Sequence, residues 1–121
     1  GMAFAAKSGV DVEKFLRIVL AGGAGSKQAE LKGRKIIEGD FSVQFSLKLM
    51  LKDLLLAGAE ANRFQMPTPL LNMATALYQM GLSKGFGDED LSSVVRCYEE
   101  WIRLRVADAA KAAGETNGQN A

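Results

Sequence analysis

One segment, from Phe45 to Ala57, is built almost entirely from large apolar residues and alanine, and the adjacent charges Lys52 and Asp53 interrupt it. A helix with so few polar side chains is hydrophobic on nearly every side, and such a helix is normally buried. A buried charge needs a partner of opposite sign, or a cleft in which a ligand neutralises it. The segment therefore predicts a largely buried helix whose Lys52 and Asp53 either pair or face a ligand.

Helical geometry predicts how these residues lie around the segment. On a helix, Phe45, Lys48 and Lys52 share one stripe, because residues three or four positions apart are neighbours. Asp53 is rotated by about 100° from Lys52, so the two charges flank one edge. The residues alone favour a solvated strip over a binding site, because charged side chains on a helix are mostly exposed to water.

The rest of the chain also shows helical periodicity with recognisable boundaries. A first complete helix lies between Asp11 and Gly22, with Gly22 as a left-handed cap. The other predicted helices run from Ser26 to Gly39, from about Phe45 to Arg63, from Pro69 to about Lys84, and from Leu91 past Trp101 after a cap at Asp88 or Asp90. Gly58 and the alanines around it suggest that another helix approaches the third of these segments closely.

No stretch alternates polar and apolar residues for long enough to predict a strand. We therefore expect an all-α fold with a single helical domain of about five to six helices. The domain is predicted to cover residues 1–113, and residues 114–121 are predicted to be a frayed polar tail.

A glycine-rich loop, from Gly22 to Lys27, is the one candidate for a phosphate cradle. It fits neither Gly-x-Gly-x-x-Gly nor Gly-x-x-x-x-Gly-Lys-Ser/Thr, because position 28 is not glycine and Lys27 follows a serine. The apolar run before it has helical spacing rather than the character of a strand. The loop is therefore predicted to connect two helices.

Composition excludes several kinds of site. The 121 residues include no histidine, which rules out a Ser-His-Asp or Cys-His site and histidine ligation of a metal. They include only one cysteine, Cys97, which rules out an intrachain disulfide. A net charge of +1 gives no electrostatic reason to expect nucleic acid or an anionic membrane as a partner. The longest apolar run is too short to span a bilayer. We expect no metal site, and a reducing cytoplasm as the location.

Three segments in order resemble the β-hydroxyacid dehydrogenases. They are residues 39–57, residues 66–70 and residues 85–92, and the last of these segments begins with the turn Gly-Phe-Gly-Asp-Glu-Asp. This superfamily includes 3-hydroxyisobutyrate dehydrogenases and the tartronate-semialdehyde and glyoxylate/succinic-semialdehyde reductases, with 6-phosphogluconate dehydrogenase as a distant relative. The resemblance covers about Gly1 to Trp101. It implies the C-terminal helical domain of such an enzyme, similar to that of 6-phosphogluconate dehydrogenase.

The resemblance also implies roles for three residues. Lys52 matches a lysine that faces the nicotinamide side of NAD or NADP, Asp53 matches a carboxylate that supports the catalytic lysine, and Phe45 matches an aromatic that closes over the substrate. In the family, the catalytic lysine lies on a helix that joins this domain to a Rossmann domain, which would place it upstream of residue 1. The catalytic set is therefore expected to be incomplete, and no cofactor is expected to bind tightly to this chain alone.

Three interpretations remain open. The chain is a helical domain of an NAD(P)-dependent dehydrogenase that is inactive alone, or half of a split dehydrogenase that needs a separate Rossmann-domain chain. The third is an interaction module that forms a homo-oligomer or binds an intact paralogue. The sequence names neither the substrate nor the preferred nicotinamide cofactor, because both are selected largely by the Rossmann part of the family.

Overall fold

A computed structural model of the chain describes residues 1–118. It contains seven α-helices and one 3-10 helix: α1 (Met2–Lys7), α2 (Val12–Ala21), α3 (Lys27–Glu38), α4 (Leu47–Arg63), α5 (Pro69–Ser83), the 3-10 helix (Leu91–Val94), α6 (Val95–Ile102) and α7 (Val106–Gly118). No strand occurs among these residues, and the only bridge of β type described is an isolated antiparallel one between Ser46 and Asp90. The prediction of an all-α fold is confirmed.

Local capping chemistry explains where the early helices begin and end. The Asp11 carboxylate accepts hydrogen bonds from the backbone N–H groups of Glu13 and Lys14, and the Ser26 hydroxyl accepts one from Ala29. Both starts agree with the sequence prediction. Gly39 ends α3 in the left-handed conformation at φ 69°, whereas Gly22 ends α2 with an extended backbone at φ −97°. The prediction of a left-handed cap at Gly22 is therefore wrong.

Later boundaries differ from the sequence prediction in two places. The last predicted helix divides into the 3-10 helix and α6, and Asp90 rather than Asp88 supplies the cap. Helix α7 continues to Gly118 and so extends into the segment that the sequence assigned to a tail. The rest of that predicted tail, residues 119–121, lies outside the described part of the chain. The domain boundary at residue 113 stays a prediction.

The helices divide into two compact units. The first comprises Gly1–Asp40 together with the chain from Tyr98 onward. Its buried apolar residues come from α1, α2, α3 and α7, and the largest of them are Val12, Leu16, Ile37 and Val106. Glu99 is buried here and its carboxylate accepts a hydrogen bond from the Val106 backbone N–H at 2.8 Å. That bond satisfies a donor that the first turn of α7 would otherwise leave unpaired.

The second unit, Phe41–Cys97, contains α4, α5 and the 3-10 helix. Helices α4 and α5 pack against each other over a core of Leu47, Phe86 and Cys97, with Tyr78 half-buried beside it. Gly81 on α5 allows the close approach, because a Cβ there would lie 2.7 Å from a Leu47 methyl. A Cβ at Gly58 would meet nothing within 4 Å. The prediction of a close helix contact at Gly58 is therefore wrong, and Gly81 is such a position.

We predict opposite effects from adding the same methyl group at these two helical glycines. Gly81→Ala should lower the free energy of unfolding by about 1–3 kcal/mol, because the buried Leu47 side chain must move. Gly58→Ala should raise it by about 0.5–1 kcal/mol, because alanine replaces glycine in a helix with open space around it. Urea denaturation followed by circular dichroism measures both. Equal effects of the two changes would contradict this account of the packing.

Candidate functional site

Helix α4 buries only one stripe of its surface within this chain. Leu47, Leu51 and Ala61 are buried at helical spacing, while Leu49, Leu55 and Leu56 are 42–59% exposed. The prediction of a helix buried on nearly all sides is therefore wrong for this chain. Apolar composition predicted the helix correctly, but composition cannot tell which of its faces another element covers. The outer face of α4, defined here by Leu49, Lys52, Asp53, Leu55 and Leu56, is open to solvent.

Lys52 and Asp53 pair with each other on this outer face. The Lys52 ammonium lies 2.9 Å from Asp53 Oδ1, and the two side chains are 58% and 50% exposed. Such an exposed pair contributes little to stability, about 0–1 kcal/mol, and salt screens it. Lys52 and Asp53 can therefore give up this ion pair for contacts with a ligand or a docked domain at little cost in free energy. One turn away, Lys48 forms an exposed ion pair with Asp88.

Phe45 is held by the loop before α4 rather than by the helix itself. The helix begins at Leu47 with Ser46 as its N-cap, so the predicted helical stripe of Phe45 with the two lysines does not extend to Phe45. The Phe45 carbonyl accepts a hydrogen bond from the Leu91 backbone N–H at 2.8 Å. Its own N–H donates to Asp90 Oδ2 at 3.3 Å. Backbone bonds to the 90–91 segment therefore fix its position.

Asp90 organises this region and is fully buried. Its Oδ2 accepts from the backbone N–H groups of Gln44 and Phe45, and its Oδ1 accepts from the backbone N–H and the hydroxyl of Ser92. A buried carboxylate is stable only when such donors replace its water. The carboxylate thus joins the loop before α4 to the start of the 3-10 helix.

The Gly-Phe-Gly-Asp-Glu-Asp turn also holds the start of α4. The backbone N–H groups of Leu47 and Lys48 donate to the carbonyls of Glu89 and Gly87 at 2.9 and 3.0 Å. These first-turn donors have no partner inside their own helix, so the turn acts as their cap. Arg96 stiffens the turn, because its guanidinium makes hydrogen bonds of 2.7 and 2.8 Å to the Glu89 carboxylate and lies 4.1 Å from the centre of the Phe86 ring.

The structure thus brings Lys52 and Asp53 into contact, and places Phe45 on the loop that leads into the same helix. An exposed cation beside a carboxylate can hold an anionic or carbonyl oxygen. Among residues 1–118, no group of three His, Cys, Asp or Glu side chains is placed to hold a metal ion. The same residues include no helix long and apolar enough to cross a membrane.

Sequence reasoning missed the part that Asp90 and Arg96 play in this region. Asp90 was expected only as a possible helix cap, which it is for the 3-10 helix. Its bonds to Gln44 and Phe45 connect residues 45 or more positions apart in the chain. No local pattern reports such a contact. The available signal was the run of three carboxylates at residues 88–90 beside a pair of glycines. Such a run predicts a turn, but it does not predict which segment the turn contacts.

We predict that Asp90→Asn lowers the free energy of unfolding by about 2–3 kcal/mol. Both carboxylate oxygens accept hydrogen bonds, and the side-chain NH₂ group of asparagine cannot accept the bonds that one of them receives. Asp88→Asn is the matched control. The Asp88 side chain is 87% exposed, so its change should stay within about 0.5 kcal/mol. Urea denaturation gives both values. A small effect at Asp90 would show that the carboxylate does not hold the loop.

Alkaline pH should destabilise the chain through Tyr78. Burial raises the pKa of the Tyr78 hydroxyl above its ordinary value of 10.0, and the negative charge of Asp90 raises it further. The unfolded chain then loses this proton first, so stability should fall as the pH rises above 10 and remain unaffected by this group at lower pH. In Tyr78→Phe this part of the fall should disappear. Thermal denaturation of both proteins between pH 8 and 11 tests it, and parallel curves above pH 10 would contradict it.

Comparison with known proteins places this arrangement in a family. A family model described as NAD-binding of NADP-dependent 3-hydroxyisobutyrate dehydrogenase matches residues 1–98. A probable mitochondrial 3-hydroxyisobutyrate dehydrogenase-like protein of Arabidopsis thaliana is 38% identical over 88% of this chain and 32% of its own length. The 2-(hydroxymethyl)glutarate dehydrogenase of Eubacterium barkeri is 32% identical over 84% of this chain and 34% of its own length.

A solved structure shows the same likeness in three dimensions. The crystal structure of a 3-hydroxyisobutyrate dehydrogenase from Salmonella typhimurium superposes with a TM-score of 0.77 at 26% identity, covering 79% of this chain and 34% of that one. The chain spans about a third of the length of the relatives it matches. The match to the family model covers most of the chain, in agreement with the resemblance found in the sequence. The chain belongs to the β-hydroxyacid dehydrogenase family and corresponds to a helical part of it.

Proposed function

We propose that this chain is the helical domain of an NAD(P)-dependent oxidoreductase similar to 3-hydroxyisobutyrate dehydrogenase, and that it is inactive alone. The outer face of α4 is the surface that meets the dinucleotide-binding part of the enzyme. The substrate class that fits the family is a small hydroxyacid or the corresponding aldehyde. The bound dinucleotide would supply the hydride acceptor or donor, while the chain described here supplies groups along one edge of the site.

This proposal rests on the exposed apolar side chains that surround the Lys52–Asp53 pair. Leu49, Leu55 and Leu56 are exposed beside it, although large apolar side chains are stabilised by leaving water. A domain that covers them would also exclude water from the ion pair. Electrostatic interactions strengthen when water is excluded, so the same docking would strengthen the hold of Lys52 on a ligand oxygen.

Each predicted site residue has one role in this proposal. Lys52 donates hydrogen bonds to an oxygen of NAD or NADP, and Asp53 accepts from and orients a lysine supplied by the dinucleotide-binding part. Phe45 covers the substrate and keeps water away. Hydride transfer needs a held cofactor, a positioned carbonyl and a proton donor. In this proposal the chain helps to hold the cofactor and to position the carbonyl, and the dinucleotide-binding part supplies the proton donor.

The partner in this proposal is a Rossmann-type domain, present either in the same polypeptide or as a separate chain. The relatives are about three times as long as the region that matches this chain. This difference in length supports such a partner. An intact paralogue could supply the same surface, and the chain would then act as an interaction module. We also propose a cytoplasmic location, because a chain with a single cysteine, Cys97, forms no internal disulfide and so fits a reducing compartment.

Calorimetric titration with NADPH and with NADH tests the role of Lys52. We expect weak, saturable binding to the chain, and at least about fivefold weaker binding to Lys52→Ala, because one charge-assisted hydrogen bond is lost. Lys14→Ala is the matched control, since Lys14 is also paired with an aspartate and its side chain is 57% exposed against 58% for Lys52. It should bind as the unmodified chain does.

The same titration contains the outcomes that would contradict the proposal. Equal binding by Lys52→Ala and the unmodified chain would remove Lys52 from the cofactor site. If the chain alone binds neither nucleotide, the titration is repeated with a Rossmann domain from a relative added in trans. Failure of that mixture to bind either dinucleotide more tightly than the Rossmann domain alone would overturn the proposed function.

A further inference from the structure

Lys48 places a second ammonium group beside that of Lys52. The two residues lie one turn apart on α4, so their Cβ atoms are about 5–6 Å apart on the same stripe of the helix. Their side chains are similarly exposed, at 55% and 58%. Like charges at this spacing repel each other, and a ligand with two negative charges relieves the repulsion better than a ligand with one. The stripe therefore favours a dianion.

Lys48 is paired with a carboxylate that it can release. Its partner is Asp88, whose side chain is 87% exposed. Water competes for such an exposed pair, so the carboxylate of a ligand can replace Asp88 at little cost in free energy. Arg96, the other cation beside this turn, is 35% exposed and makes two hydrogen bonds to the Glu89 carboxylate. Of these two cations, Lys48 is the one that can bind a ligand without breaking a bidentate pair.

The backbone holds the base of the Lys48 side chain in a fixed place. The Lys48 N–H donates to the Gly87 carbonyl at 3.0 Å, and a Cβ at Gly87 would lie 3.8 Å from the Lys48 Cβ. The turn that contains Gly87 is closed by a hydrogen bond of 3.1 Å from the Glu89 N–H to the Phe86 carbonyl. A charge on such a rigid support distinguishes between ligands better than a charge on a loose loop.

We propose that Lys48 binds a second carboxylate of the substrate, so that the substrate class is hydroxyacids with two carboxylates, or the corresponding carbonyl compounds. This inference rests on the proposed function, in which Lys52 holds the dinucleotide and Phe45 covers the substrate. Lys48 lies between these two residues in the chain, and it shares its stripe with Lys52. A substrate that contacts both the dinucleotide and Phe45 therefore brings its far end within reach of Lys48.

Titration of the isotope-labelled chain, followed by NMR, tests the preference for a dianion. The two ligands are 3-hydroxyglutarate and 3-hydroxypentanoate, which have the same carbon chain and differ by one carboxylate. At constant ionic strength, 3-hydroxyglutarate should shift the amide signals of Lys48 and Gly87 and bind about threefold more tightly or better, because it gains one more exposed ion pair. Both dissociation constants should be on the order of millimolar. No nucleotide and no second domain are needed.

Two substitutions should change this binding in opposite directions. Lys48→Gln should weaken the binding of 3-hydroxyglutarate about threefold or more, because the ion pair is lost. Asp88→Asn should tighten it about twofold or more, because a competing carboxylate is removed. Lys14→Gln is the matched control, since the Lys14 side chain is 57% exposed and is also paired with an aspartate. It should bind both acids as the unmodified chain does.

Several results would overturn the inference. Equal binding of the two acids, binding of neither, or equal losses in Lys48→Gln and Lys14→Gln would remove the dianion from Lys48. Weaker binding by Asp88→Asn would contradict the exchange of carboxylates. If Lys48→Gln weakens NADPH as much as Lys52→Ala does, Lys48 belongs to the dinucleotide and not to the substrate. The proposed function fails separately, since it depends on the nucleotide titrations and not on the preference between the two acids.

Discussion

The buried Asp90 carboxylate is the interaction on which the second unit depends. It accepts backbone donors from the loop before α4 and from the 3-10 helix, so it fixes the loop that carries Phe45 and the position at which α4 begins. Of the predicted site residues, Phe45 is bonded to Asp90 directly, and Lys52 and Asp53 lie on the helix that this loop leads into. Lys52 and Asp53 reach their places on the outer face because the helix begins at Leu47 and not earlier. The buried carboxylate thus anchors the loop before α4, while the Ser46 cap and the carbonyls of Glu89 and Gly87 hold the first turn of the helix.

The helices α4 and α5 leave two very different surfaces open. The outer face of α4 combines an ion pair with leucines, and such a mixture suits a partner that brings its own polar groups. Helix α5 carries no charged side chain and exposes Leu70 and Met73. The pattern of charges, rather than the amount of apolar surface, distinguishes them.

Sequence reasoning succeeded where the cause is local. Asp11 and Ser26 cap helices through bonds to residues two or three positions ahead, and both starts were predicted. It failed where the cause is distant. The exposure of Leu55 depends on which helices pack beside α4, and the bonds of Asp90 reach across much of the chain. Glycine at a helix end permits a left-handed backbone without requiring it, which is why Gly39 adopts one and Gly22 does not.

The location of Cys97 has a practical consequence. Its thiol belongs to the core formed with Leu47 and Phe86, and no other cysteine exists in the chain. A reagent that alkylates thiols can reach it only when this core opens. The alkylation rate under native conditions therefore reports how often this core opens. The chain thus contains a built-in probe for the opening of this core, and no label has to be introduced.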